Sequence, residues 1–488
     1  MTTILVIAFT GIVLIGVLGF VGRRRPAADL AEWTVGGRRF GAWSMWFLQA
    51  GEVFTTFTFL GMAGLAFSGG VAALYALPYI PIGYIVVFFL ARRLWTLGKQ
   101  RGYLTQGDYL EDRYDSRLLG TVAAVLGVVF VLPYLQLQIT GLGLIVQLVT
   151  GDSTSGTVSM VIGCTLVVAF VLWAGLHGVA TTSYFKDVVM LVVLAVLLVA
   201  IPTHFSGGVS AMFHRVDKLH PELLTVHSGP HDHVWFFTSM MVSLIGIALM
   251  CLPHSWPAVL SARDPKVLRR NYAWMPVYEL CVLLPMVVGF AAVLVVKPGT
   301  PPNGILLTLS KQVLPAWATG LVVVAAIATA MVPAAGILIG ISSLVARNIA
   351  RVRAERTRFW INHGTVVAAS LLSLLLAIYR PDLLANLLLL TYSGTVQLAP
   401  AIGLGFLTRR PVGKWPVLAG LLAGELTVCW LTFWDKDLVG HVNAGLVGLA
   451  ANIVVLTLTA VGGRLLAGGG ATGAPKAGEG EDAVALRA

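Results

Sequence analysis

Runs of about twenty apolar residues recur along almost the whole chain, each long enough to cross a bilayer as a helix. Only 11% of the 488 residues are charged and 57% are hydrophobic; a soluble chain carries about 25% charged residues. So few charges cannot build a soluble surface, and lipid must cover much of this one. The chain is read as an all-α integral membrane protein with about thirteen transmembrane helices. They fall at roughly 3–22, 42–69, 71–97, 118–149, 156–175, 184–203, 235–260, 272–296, 318–346, 359–379, 383–407, 415–434 and 441–463. The longer runs must tilt or extend beyond the bilayer.

The net charge of +11 is explained by where the basic residues fall. Loops form two alternating sets, and one set holds 27 of the 33 Lys and Arg residues, in clusters such as 23–39, 92–117, 263–270 and 347–358. The other set holds Arg215, Lys218, Lys297, Lys311, Arg380 and Lys436. Basic loops stay cytoplasmic. That places the N-terminus outside and the C-terminus inside a multi-pass protein of the plasma (inner) membrane, and it removes the reason to invoke nucleic acid. The arginines near the first span follow its apolar run, so this span is read as a retained helix and not a cleaved signal. The tail, 468–488, is Gly, Ala and charge, and is expected to be disordered. Cys164, Cys251, Cys281 and Cys429 lie in apolar runs without metal-ligand spacing, as small hydrophobes do. Every loop except 204–234 is too short to fold alone. No nucleophile–base or metal constellation is visible, so solute transport outranks catalysis.

Five helices separate the second span from the seventh, and the two run in opposite directions. That parity suits an inverted repeat, a design whose binding site lies near the midplane between interrupted helices. The second span reads Gly51-Glu-Val-Phe-Thr-Thr-Phe-Thr-Phe-Leu-Gly61-Met-Ala-Gly64, and the seventh carries Ser243, Gly246, Pro253 and Pro257. These residues suit unwound backbone, and they equally suit close helix packing.

Three stretches resemble the sodium/solute symporter family: Leu104-Thr-Gln-Gly-Asp-Tyr-Leu-Glu-Asp-Arg-Tyr114, Gly175-Leu-His-Gly-Val-Ala-Thr-Thr-Ser-Tyr-Phe-Lys-Asp187 and Ala262-Arg-Asp-Pro-Lys-Val-Leu-Arg-Arg270. In the first, Thr105 and Asp108 read as the cap and first-turn acid of a short helix. Pro133-Tyr-Leu-Gln-Leu-Gln-Ile-Thr-Gly-Leu-Gly143, with 51–61, is most similar to the family's bacterial monocarboxylate permeases. The resemblance implies a LeuT-type 5+5 inverted repeat with extra flanking helices. Residues 1–34 would hold an extra helix and loop, 35–204 the first repeat, and 205–234 an extracellular His-rich loop. The second repeat would be 235–408, followed by two helices in 409–467. The implied function is symport of a small organic solute, foremost a short-chain monocarboxylate such as pyruvate, lactate, acetate or propionate. An amino acid or sugar symporter, a channel and a membrane sensor are the alternatives. The implied partners are that substrate and the bilayer, with no organic cofactor and no obligate protein partner.

Sodium-coupled members bind the ion between the second and ninth spans. Carried over by position, main-chain oxygens near Gly51, Phe54 and Thr329 would serve, with two hydroxyl side chains. Those hydroxyl positions fall on Val332 and Pro333, which have none. A hard cation needs several oxygens, so the coupling ion, proton or sodium, is read as proton first. Glu52, Asp187, Glu279 and Glu425 are the carboxylates within spans, where ionisable groups are rare and mostly functional. Glu52 ranks first because it adjoins Gly51. Asp187, beside Lys186, reads as an ion pair, and Glu425 as structural. For the substrate, Thr55, Thr56 and Thr58 offer hydroxyls, Ser243 and Gly246 mark the second break, and Gln136 and Thr140 share a helix face. His204, His214, His220, His227, His231 and His233 read first as a solvated loop; His231-Asp-His233 has a metal-ligand spacing and leaves a metal site as the alternative, but no acidic or Cys cluster completes a ligand set.

Overall fold

The computed structural model describes residues 2–22, 29–150, 154–297, 299–407, 412–434 and 438–468. The chain is built from helices: α1 (Thr2–Gly22), α2 (Leu30–Val35), α3 (Ala42–Val53), α4 (Met62–Gly69), α5 (Ala76–Arg101), α6 (Gln106–Tyr114), α7 (Arg117–Thr150), α8 (Thr154–Ser206), α9 (Val209–Leu219) and α10 (His233–Ala248). They continue as α11 (Ser255–Ser261), α12 (Pro265–Tyr278), α13 (Leu283–Val293), α14 (Ile305–Val313), α15 (Ala316–Leu344), α16 (Glu355–Tyr379), α17 (Leu384–Thr395), α18 (Ala399–Gly405), α19 (Lys414–Phe433) and α20 (Ala444–Gly468). A short extended segment, Leu438–His441, precedes α20.

Among the described residues, eleven helices are long and apolar enough to cross a membrane. The sequence reading of thirteen differs because two spans are not continuous. The second divides into α3 and α4, and α4 then joins α5 in a single run, Phe57–Arg101, with Gly70 at φ 57°. The seventh divides into α10 and α11, each too short to count. The fifth and sixth spans form one element, α8, bent at Gly175 (φ 53°), a backbone conformation open to glycine. The tail falls outside the described residues beyond Gly468.

The apolar stretch of α15 is buried along its whole length, so this helix is the axis of the bundle. α1, α7, α8 and α16 pack around it. On the rim, Phe9, Phe89, Leu371 and Leu426 are exposed, as lipid-facing side chains are. Trp43, Trp317, Trp360 and Trp415 are exposed near the starts of their helices, where amphipathic rings suit a membrane boundary.

The expected cap forms: Thr105 Oγ1 accepts the Asp108 N–H at 3.2 Å, while Asp108 Oδ2 accepts the Leu104 N–H at 2.8 Å. Asp108 also meets Arg347 Nε at 2.6 Å, beyond the end of α15. Glu111 takes two hydrogen bonds from the Arg351 guanidinium, at 3.2 and 2.9 Å. This segment therefore straps α6 to the chain leaving α15.

Candidate functional site

In the second span the first half-helix ends at Val53. Phe54 is extended (φ −79°, ψ 96°), and a π turn, Phe57–Gly61, leads into α4. Backbone freed inside a bilayer must find substitute partners. Gln138 of α7 supplies them: its Oε1 accepts the Thr56 N–H at 3.2 Å and the Thr56 hydroxyl at 2.7 Å. Thr58 Oγ1 donates to Val53 O at 3.3 Å. In the seventh span the chain unwinds between Ala248 and Ser255, with Met250 at φ 53°. Gln106 Nε2 of α6 donates there to Met250 O and Cys251 O at 3.2 and 3.1 Å. Each break is thus tied by one glutamine from another helix.

Between the breaks lies a cavity of about 70 Å³. A water needs about 10–15 Å³ of such space, so the cavity suits a solute of a few heavy atoms. Gln49, Glu52, Thr55 and Thr58 line it from the second span, Gly246 and His254 from the seventh. Tyr79, Tyr84, Tyr134, Tyr272 and Tyr392 close it with aromatic walls and hydroxyls. Among the described residues neither Lys nor Arg lines it. Both polar side-chain atoms of the Gln49 amide, Oε1 of Glu52 and Nδ1 of His254 are buried without a hydrogen-bond partner among the described residues.

The structure divides the expected substrate residues. Thr55, Thr58 and Gly246 line the cavity. Thr56 does not, because its hydroxyl is committed to Gln138. Gln136 is turned away: Nε2 donates to Leu376 O and Arg380 O of α16 and the residue after it, at 3.3 and 2.8 Å. It ties two helices, and Gln138, on the other side of α7, meets the break. Thr140 and Ser243 are buried and outside the lining, their hydroxyls without a hydrogen-bond partner among the described residues. The tyrosines, Gln49 and His254 escaped the sequence reading. A signal existed for two of them: Gln49 lies three residues before Glu52 on one helical face, and His254 sits between Pro253 and Pro257.

The residues expected to couple an ion lie at the end of α3 and on α15. A Cβ built on Gly51 would lie 2.6 Å from Ser183 Oγ of α8 and 3.7 Å from Val332 Cγ1 of α15, so Val332 does face Gly51. Thr329 is buried on α15, its hydroxyl returned to Ala326 O at 2.7 Å. Gly51 O accepts a hydrogen bond from Lys186 Nζ at 3.0 Å, and that ammonium meets Asp187 Oδ1 at 2.9 Å. Glu52 packs against Gly336 of α15, where an added Cβ would sit 3.2 Å from Oε1. Glu279 is buried nearby, and Glu425 is buried on α19, away from the cavity lining. In the His-rich loop, His220 pairs with Glu222, and His231 stacks edge-on against Trp235. Among the described residues no three His, Cys, Asp or Glu side chains gather as a metal site.

Residues 33–408 match the model of a family described as the sodium:solute symporter family. An uncharacterized symporter of Bacillus subtilis, YhjB, is 34% identical over 473 residues, covering 93% of this chain and 96% of that protein. A monocarboxylate transport permease protein of Rhizobium johnstonii is 29% identical, covering 91% and 93%. An osmoregulated proline transporter of Bacillus subtilis, OpuE, is 24% identical, covering 87% of each. Among solved structures, a Na+-coupled sialic acid symporter in a substrate-bound, outward-open state superposes with a TM-score of 0.77 at 14% identity, covering 94% of this chain and 97% of that one. Mhp1, a nucleobase-cation-symport-1 family transporter, gives 0.60 at 16% identity, covering 91% and 96%. These likenesses show the fold, an all-α LeuT-type transporter.

Proposed function

Since this chain belongs to the sodium:solute symporter family and is a multi-pass membrane transporter of a small solute, we propose that it imports a short-chain monocarboxylate together with a proton. The repeats would span 35–204 and 235–408, with the N-terminus outside and the C-terminus in the cytoplasm. One observation carries the reading: Glu52 shares a cavity of about 70 Å³ with neutral donors and no cationic side chain. An anionic substrate and an ionised Glu52 repel at that range. A proton on Glu52 removes the repulsion, so substrate and proton enter together. The carboxylate would take its hydrogen bonds from Gln49, Thr55 and the tyrosine hydroxyls, helped by the positive end of the half-helix that begins at the break. The small cavity and the Rhizobium johnstonii permease support the substrate class.

The test is uptake into proteoliposomes across a panel of short acids under imposed proton or sodium gradients. Labelled pyruvate should accumulate with an inward proton gradient and resist competition by proline, the solute named for OpuE. Glu52→Gln should retain exchange of pyruvate across the membrane and lose the dependence of uptake on pH. Pyruvate uptake by this variant that still rises on acidification, as in the parent, would exclude Glu52 as the proton site.

A further inference from the structure

The buried pair on α8 has no part in the cavity. Lys186 and Asp187 are 0% and 1% exposed in their side chains, and neither lines the substrate space. Lys186 reaches across to α3 and donates to Gly51 O at 3.0 Å. That carbonyl is available because the helix stops: in a continuous helix it would accept the N–H of Thr55, which here points to Thr58 Oγ1 at 3.5 Å. A helix C-terminus carries partial negative charge and favours a cation. The position is also the one where the family resemblance expects free sodium, and the other ligands it would need are missing. Val332 turns a methyl toward Gly51, Pro333 has no hydroxyl, and the Thr329 hydroxyl is bonded to its own helix. Ser183 Oγ, also against Gly51, donates to Val179 O at 2.8 Å. One ammonium therefore stands where several oxygens would have held an ion.

We propose that Lys186 is a tethered cation seated at the break of the second span, so that the Gly51–Phe54–Thr329 position binds no sodium. The charges facing it agree. Asp187 touches it, Glu279 lies within electrostatic reach, and Glu52 is one residue beyond the carbonyl it holds. Tyr278, the last residue of α12, is within reach of Asp187 and Glu279, and α15 presents no titratable side chain along Ala316–Leu344. A sodium ion added beside the ammonium would meet like charge with too few oxygens to replace its water. The inference rests on the symporter reading of this break and is independent of which solute is carried.

The experiment reads thermal unfolding of the purified full-length protein in detergent, in sodium chloride against choline chloride at equal ionic strength. The parent protein should unfold at the same temperature in both. Lys186→Met keeps the length of the side chain and removes its charge. It should lose about 5 °C or more in choline chloride, because Asp187 and Gly51 O lose their cation, and recover part of that loss in sodium or lithium chloride. Sodium-specific stabilisation of the parent overturns the proposal, and that measurement stands even if the variant fails to fold. A Lys186→Met protein as stable as the parent in choline, or destabilised without rescue by any small cation, also overturns it, leaving Lys186 an ordinary ion-pair partner. No substrate enters the assay, so a failure of monocarboxylate uptake is distinguishable from a failure here.

Discussion

Gly51 has no room for a side chain. A Cβ there would lie 2.6 Å from Ser183 Oγ and 2.9 Å from Ser183 Cβ. Gly51→Ala should therefore displace α3 from α8 and, with it, the carbonyl that Lys186 holds. We expect a stability loss of about 1–3 kcal/mol and a fall in uptake of about tenfold or more, with Ser183→Gly restoring most of both. Uptake and unfolding of the single and double variants check this. Gly51 and Glu52 were legible from sequence, since a glycine beside a carboxylate inside an apolar run has few bland explanations. Gln136 was misplaced for a physical reason. Residues 136 and 138 point to opposite sides of one helix, and only the rotation of α7 against its neighbours decides which side meets the break. Lys186 was read as half of a local pair. Its reach to Gly51 O spans 135 residues of sequence, and no local pattern encodes that.

The two broken spans share a design that sequence announced only in part. Gly, Thr and Pro marked where the helices fail. The glutamines that repair them come from α7 and α6, elements with no visible tie to the breaks until the chain is folded. Gln138→Leu removes the acceptor of two Thr56 hydrogen bonds while keeping apolar bulk. Leaving those donors unmet costs about 1–3 kcal/mol, and we expect a lower unfolding temperature together with weaker substrate exchange. At the end that the proposed topology places in the cytoplasm, the strap between α6 and the segment after α15 makes a separate prediction. Arg351 gives Glu111 two bonds and also donates to Arg117 O at 2.8 Å. Exposed ion pairs contribute little, but this guanidinium is about two-thirds buried and forked onto one carboxylate. Arg351→Ala should loosen the mouth that the proposed topology places in the cytoplasm, raising the labelling rate of an Ala258→Cys probe in the cavity wall several-fold in inverted vesicles. An unchanged rate would mean that the strap does not guard the mouth.

For the molecule as a whole, lipid makes the architecture readable. A chain that must satisfy its backbone internally and face hydrocarbon outward shows its spans as apolar runs. Interruptions blur the count, because a helix broken for function fails a test of unbroken length. The basic residues carry the second global signal. If 27 of 33 lie on one side, a fluorescent reporter fused at the C-terminus should be bright in the cytoplasm. A periplasmic phosphatase fused at the same place should be inactive. The opposite pair of results would invert the topology. The cavity wall stayed hidden at this scale, since its five tyrosines come from α5, α7, α12 and α17 and converge only through packing.

Gln106 and Asp108 stand two residues apart on α6. The first grips the unwound carbonyls of Met250 and Cys251, and the second meets Arg347 beyond the end of α15. A single turn of helix thus holds the unwound segment with one residue and the chain leaving α15 with the other. If that turn shifts, both partners must shift with it, so the seat between the broken spans and the end of the bundle would be geared to each other.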